Sequence, residues 1–138
     1  MRLGAADVPA LQHLHSGGNA GDQPPDDAPD FFSASMVTQG AYYGIFGDEG
    51  SLVAAAGTHL VVPAEGVAAL GNVYTLPSHR GHGLATLATS AVVSELLARP
   101  ELNVIALNVR QDNIAALTVY ERLGFERYCA FYEGRANR

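Results

Sequence analysis

The run from Gly71 to Ala98 constrains this chain more than any other part of it. Gly71 to Leu76 alternates, is rich in apolar side chains and stops at Pro77. A basic, glycine-rich turn follows over 78–83, in which His79, Arg80 and His82 cluster without an acid. Apolar residues at helical spacing then run from Leu84 to Ala98. A strand that feeds a glycine turn opening a helix outlines a phosphate cradle. The first N–H groups of a helix have no partner of their own and lie at the positive end of its dipole. Gly81 and Gly83 let an anion reach the main chain without meeting a Cβ, and Arg80 adds a permanent positive charge. The glycine spacing is not the dinucleotide fingerprint, and the Gly-Lys-Ser/Thr end of a nucleotide P-loop is missing. Taken alone, the turn reads equally well as a plain connection between a strand and a helix.

The 138 residues predict one domain over 1–138, and a 48% hydrophobic content is that of an ordinary globule. No apolar run approaches the ~20 residues that span a bilayer, and the N-terminus lacks the layout of a signal peptide. The single cysteine, Cys129, excludes an internal disulfide framework. It is expected to pack in an apolar segment, and the chain is expected to be cytoplasmic. A net charge of −6 argues against a general nucleic-acid binder and suits a cationic small molecule. Within that acidic chain, the basic turn stands out as an anion site.

Asp7 is placed to cap a helix with Pro9 in its first turn, ending near His15. Residues 16–30 break all periodicity and are expected to form a mobile acidic loop. A short helix is predicted from Asp30 to Gln39, closed by Gly40 and anchored by Phe31, Phe32 and Met36. Strands are predicted over Ala41–Phe46, Ser51–Val62 and Val67–Leu76, joined by turns at 47–50 and 63–66. After the Leu84–Ala98 helix, Arg99-Pro100 forces a stop. A buried strand is expected over Leu102–Val109, then a helix capped by Asp112 or Asn113 and ended by Gly124. A last strand is predicted over Phe125–Glu133. The fold class is therefore mixed α/β. A central mixed sheet starts as an antiparallel meander, continues in parallel β-α-β units and carries helices on both faces.

Asn113, Ala116 and Tyr120 stand at i, i+3 and i+7, on one face of the predicted last helix. At ~1.5 Å per residue, Asn113 and Tyr120 are about 10 Å apart along its axis, enough to hold an extended chain at one end and its reactive tip at the other. A capping asparagine and a core tyrosine would look the same. Arg80-Gly81-His82-Gly83-Leu84-Ala85, joined to Asn113-x-x-Ala116-x-x-x-Tyr120-x-x-x-Gly124-Phe125, resembles the GNAT superfamily of acetyl-coenzyme-A-dependent N-acyltransferases. The likeness covers roughly 71–125.

The resemblance implies acetyl-coenzyme A as cosubstrate and a primary amine of a small molecule or peptide as acceptor. It implies that the backbone amides of Arg80, Gly81, His82, Gly83, Leu84 and Ala85 hold the coenzyme pyrophosphate. Val73–Leu76 would part from Leu107–Val109, and the amides of Val73, Tyr74 and Thr75 would bind the pantetheine arm and polarise the thioester. Asn113 would hold a pantetheine amide, with Ala116 on the same face, and Tyr120 would offer its hydroxyl to the sulfur.

This chain departs from the family in two places. Val67–Leu76 lacks the carboxylate that many members carry on that strand. His59, on the neighbouring strand, is the first candidate base, and a water chain past Asn72 and Tyr74 is an equal alternative. Only Met1–Leu3 remains for the family's first strand, so either that strand is very short or the chain is the acyltransferase portion of a longer family pattern; the last strand pair is short, which invites a homodimer. No metal is expected, since His13 and His15 point different ways on their helix. Two other readings stay open. One is a non-catalytic acyl-coenzyme-A-binding module, and the other a nucleotide-phosphate domain. Asp22, Asp26, Asp27 and Asp30 would draw a cationic acceptor.

Overall fold

The computed structural model describes residues 1–15, 34–109 and 111–127. The chain divides into two units, Met1–Leu107 and Asn108–Arg138.

In the first unit, α1 (Val8–His15) and α2 (Ala34–Gln39) precede a meander of β1 (Tyr43–Phe46), β2 (Leu52–Val62) and β3 (Val67–Thr75). Helix α3 (Leu84–Leu97) then leads to β4 (Val104–Leu107). The sheet order is β1-β2-β3-β4, with the first two pairings antiparallel and β3–β4 parallel. The expected mixed sheet is present. Leu11 and Leu14 of α1 and Val37 of α2 bury against Leu3, Tyr42, Leu52 and Ala55, with Tyr74 and Leu76 packed at the margin. Strand alternation turns Tyr43 to the other face, where its hydroxyl reaches Glu95 of α3 at 3.1 Å. Helices therefore cover both faces. On α3, Ala88, Val92 and Leu96 recur every four residues and are buried.

Several boundaries differ from the sequence reading for local reasons. Asp7 does not cap α1; its carboxylate accepts the Gly4 N–H at 2.7 Å and closes a 3-10 turn over Ala5–Asp7. β1 begins at Tyr43 because the Ala41 N–H is spent on Thr58 Oγ1 at 3.2 Å. The Tyr42 carbonyl likewise accepts the Leu3 N–H at 2.8 Å. Arg2 forms an isolated bridge with Tyr43, and Met1 exchanges two backbone hydrogen bonds with Gly44, each at 2.9 Å, so the segment before α1 pairs briefly with β1. In α2, Val37 is the buried anchor and Met36 is only half-buried; Phe31 and Phe32 lie outside the described residues. β4 is shorter than expected, since the Leu102 and Asn103 amides bond Arg99 O and Gly66 O. It is also not a buried strand. Val104 is 52% exposed, because β4 forms an edge with only β3 beside it among the described residues.

Arg2, Glu95 and Arg99 fasten α3 to the end of α2. Glu95 takes Arg2 Nε at 2.7 Å and Arg99 at 2.6 Å, and both guanidinium groups donate to the Gly40 carbonyl at 2.8 Å. Burial works against the Glu95 charge, but the Arg99 hydrogen bond and the Arg2 charge outweigh it and hold the carboxyl below its ordinary value.

The second unit contributes α4 (Ile114–Arg122), with Asn113 as its cap. The expected strand over 125–133, the loop at 16–30 and Cys129 lie wholly or largely outside the described residues.

Candidate coenzyme and acyl-transfer site

β4 accompanies β3 for only four residues, from Val67↔Val104 to Leu70↔Leu107. Beyond that, Gly71–Thr75 has no ladder partner on the β4 side among the described residues. On the other side it stays paired to β2. The Leu76 N–H donates to Val53 O at 2.9 Å, so alternation turns the N–H and C=O of Thr75 to the open edge, and those of Val73 with them. Arg80 Nε meets the Thr75 carbonyl there at 3.0 Å. Tyr74 faces α1, with the Arg80 guanidinium 5.6 Å from its ring.

After β3 comes a 3-10 turn over Pro77–His79, in which Ser78 Oγ and His79 Nδ1 lie 2.9 Å apart. The Arg80 N–H bonds Pro77 O at 3.4 Å, so the free amides of the turn start at Gly81. Gly81 and Gly83 adopt φ of +85° and +75°, in the left-handed region that favours glycine, and a Cβ on either would meet nothing within 4 Å. Gly83 is the N-cap of α3 and supplies no side-chain bond, so Leu84, Ala85 and Thr86 begin a helix whose first amides are uncapped. His82 beside them is exposed.

In the second unit, Asn113 Oδ1 accepts the Ala116 N–H at 3.2 Å and caps α4. The helix ends in a Schellman motif. The Phe125 N–H reaches Tyr120 O at 3.0 Å, the Gly124 N–H reaches Glu121 O at 3.1 Å, and Gly124 has φ +99°. The Phe125 ring then sits edge-on to Tyr120, with centroids 6.2 Å apart. The Tyr120-x-x-x-Gly124-Phe125 spacing thus has a local physical cause. Burial pushes the Tyr120 hydroxyl above its ordinary pKa, so it stays protonated at neutral pH.

His59 sits at a bulge of β2, between the pairs Thr58↔Leu70 and Leu60↔Ala69. It is exposed and helps line a cavity of about 210 Å³ with Met36, Gln39 and Gly40. The sequence reading named His15 only in a poor metal pair and Asn72 only on a water chain, and neither feature that follows was foreseen. The His15 ring lies 5.3 Å from that of Tyr74. Asn72 is the one non-glycine at positive φ (+55°) among the described residues. Alternation alone gives no sign of such a bulge. Among the described residues, no group of three His, Cys, Asp or Glu could hold a metal ion. No helix there is long and apolar enough to cross a membrane.

A turn that offers amides to a diphosphate, beside a strand edge that offers amides to an acyl arm, is the arrangement of an acyl-coenzyme-A site. A family model described as Acetyltransferase (GNAT) family matches residues 8–125, and the chain belongs to that family. The mycothiol acetyltransferase of Gordonia bronchialis is 48% identical over 64 residues, which is 43% of this chain and 20% of that protein. The chain spans about a fifth to a quarter of the length of the curated relatives it matches. A GNAT-family structure from Novosphingobium aromaticivorans aligns with TM-score 0.71 and 30% identity, covering 93% of this chain and 51% of that one. AAC(6')-Iy, solved with the bisubstrate analogue CoA-S-monomethyl-acetylneamine, aligns with TM-score 0.69 over 99% of this chain and 97% of its own; at 22% identity it shows the fold alone.

Proposed function

We propose that this protein is a single-domain N-acetyltransferase that moves the acetyl group of acetyl-coenzyme A to a primary amine of a small molecule or peptide by direct attack. One observation carries the reading: the uncapped start of α3 and the unpaired edge of β3 are joined by one side chain, Arg80. The amides from Gly81 to Ala85 would bind the pyrophosphate. Val73 and Thr75 would bond the pantetheine arm and the thioester oxygen, and one such donor is typically worth about 3–4 kcal/mol to an oxyanion. Asn113 can cap α4 through Oδ1 and still offer its amide to the arm. Tyr120 would protonate the departing sulfur, a role that suits its raised pKa.

Names among the relatives fit a small acceptor: several are mycothiol acetyltransferases, and AAC(6')-Iy was solved with an acetylneamine analogue. A lysine-like amine with pKa ~10.4 is neutral in about one molecule in 2,500 at pH 7, a barrier of about 4.6 kcal/mol. Some group must take its proton. His59, exposed at its bulge, is one proposed acceptor of it, and a relay past Asn72 is another. The same reading proposes a cytoplasmic protein and a homodimer, invited by the short last strand pair.

The absence of Asp and Glu from Val67–Leu76 favours, as a second reading, a binding module without turnover. Thiol release from acetyl-coenzyme A, followed with a panel of polyamines, amino acids and peptides, separates the two. Release that depends on an amine is expected. Thermal stabilisation by the coenzyme without release on any amine would favour the module.

A further inference from the structure

Asn72 lies where the paired part of β3 gives way to its open edge. The last β3–β4 pair, Leu70↔Leu107, comes two residues before it, and the amide of Val73, the next residue, faces that edge. Between the pairs Ala55↔Tyr74 and Gly57↔Gly71, the single residue Ala56 of β2 faces both Asn72 and Val73. Bulges of this kind re-aim side chains beside active sites. Asn72 has a left-handed backbone there, at φ +55°, which asparagine adopts more readily than most residues with a Cβ.

The hydrogen bonds of the re-aimed side chain fix its orientation. Tyr42 Oη lies 2.7 Å from Thr58 O, and a carbonyl can only accept, so the one hydroxyl proton of Tyr42 is spent there. The Asn72 atom 3.0 Å from Tyr42 Oη is therefore the donor, Nδ2, and Oδ1 turns away from Tyr42. Among the described residues no donor reaches Oδ1. Nor is it one of the buried side-chain atoms without a partner, which are His15 Nε2, Thr75 Oγ1 and Thr89 Oγ1. Asn72 as a whole is half-buried, so Oδ1 is an oriented acceptor within reach of a ligand.

The same face of the sheet carries a way in. Tyr42 belongs to the core under α1 and α2, so the Asn72 side chain lies on that side. The cavity of about 210 Å³ lies there too, between Met36 and Gln39 of α2 and Thr58, His59 and Leu60 of β2. Thr58, whose carbonyl anchors Tyr42, is one of its walls. His59 packs over Gly71, where an added Cβ would come within 2.8 Å of the His59 Cβ. Asn72 follows Gly71 and so stands between the cavity and the Val73 amide.

We propose that Asn72 binds the acceptor: Oδ1 takes an N–H of the incoming amine and turns its nitrogen toward the acyl carbon beside Val73. The proposal rests on the reading of the chain as an N-acetyltransferase. The Asn72 amide gives and takes no proton. It holds the nitrogen while another group removes one proton from the ammonium. The freed lone pair then forms the C–N bond, the C–S bond breaks, and the second nitrogen proton ends on the departing sulfur. Holding the pair in line lowers the barrier because little freedom of approach is left to lose. Tyr42 touches no substrate and acts by aiming the amide, as a positioning residue.

The test measures kcat/KM for whichever amine of the polyamine, amino-acid and peptide panel releases thiol fastest. Wild type, Asn72→Gly, Tyr42→Phe and the double variant are compared, with coenzyme A affinity measured by calorimetry in each. Glycine keeps the left-handed backbone and removes the amide. Asn72→Gly is expected to lose about 30-fold in kcat/KM for the amine, the scale of a hydrogen bond to a charged group, with coenzyme A affinity within twofold. Tyr42→Phe is expected to lose about fivefold alone and nothing further in the Asn72→Gly background, because both act through one contact. A second measurement needs no variant: adding the amine to the wild-type coenzyme A complex is expected to shift the side-chain NH2 signals of Asn72 in NMR. An undiminished kcat/KM in Asn72→Gly, an equal loss of coenzyme A affinity, losses that add in the double variant, or unmoved Asn72 signals would overturn the proposal alone. A wild-type protein that releases no thiol on any amine would overturn the acetyltransferase reading, and this proposal with it.

Discussion

Arg80 Nε donates to the carbonyl oxygen of Thr75 at 3.0 Å and so ties the glycine turn back to the last residue of β3. One side chain thus serves two places, as a charge beside the free amides of the turn and as a clasp on the open strand edge. Arg80→Lys keeps the charge and loses the clasp, whereas Arg80→Gln loses the charge. We expect the KM for acetyl-coenzyme A to rise about tenfold in Arg80→Gln, the scale of one charge-assisted bond, and less in Arg80→Lys. Steady-state kinetics at two salt concentrations check this, and an equal KM in all three proteins would remove Arg80 from coenzyme binding.

Gly83→Ala places a Cβ in the left-handed region at φ +75°, where the cost is about 1–2 kcal/mol. Gly50 has φ +79° and serves as a control remote from the turn. Gly50→Ala should lose similar stability and keep its coenzyme affinity. Gly83→Ala should lose both, because the added methyl would occupy open space beside the turn that the diphosphate is proposed to enter. Denaturation and calorimetry on the two variants separate strain from binding.

Tyr120→Phe should lower kcat by about 10²-fold while the KM for the coenzyme changes little, since a general acid acts on the departing sulfur. The Schellman end of α4 and the Phe125 ring contact do not need the hydroxyl, so the fold is expected to hold. Unchanged turnover would take Tyr120 out of the mechanism.

Asn113→Ser keeps a capping oxygen and removes the amide, whereas Asn113→Ala removes both. The alanine variant should lose about 1 kcal/mol of stability, and the serine variant little. Both should bind the coenzyme more weakly if the amide holds the pantetheine arm. A loss confined to Asn113→Ala would leave the residue a cap and nothing more.

Glu95 links the fold to pH. Its carboxyl titrates below the ordinary value in the folded protein, so its stabilisation is complete above about pH 4.5 and is lost as pH falls through the folded pKa. Glu95→Gln should be less stable at pH 7 by about 2 kcal/mol and should show a flatter acid limb in chemical denaturation. A variant whose stability tracks wild type from pH 7 to pH 3 would show that the Arg2–Glu95–Arg99 cluster contributes nothing.

Much of the fold was legible because its signals are local. Alternation marked β2 and β3, glycine marked the start of α3 and the end of α4, and the Arg80–Ala85 and Asn113–Phe125 patterns marked where amides and hydroxyls stand. What stayed hidden depends on contacts distant in sequence. The burial of β4 was misjudged because an apolar run does not say whether a strand lies inside a sheet or at its edge. Asn72, with its left-handed backbone, is tied through Tyr42 Oη to the Thr58 carbonyl. No spacing rule joins residues 42, 58 and 72.

The most direct test of the central claim is a backbone amide NMR titration of the protein with acetyl-coenzyme A. The account predicts that the largest shifts fall on Gly81 to Ala85 and on Val73 and Thr75. Adenosine 3',5'-bisphosphate, which has no acyl arm and no pyrophosphate, should leave Val73 and Thr75 unmoved. Saturating acetyl-coenzyme A with no response at either group of amides would contradict it.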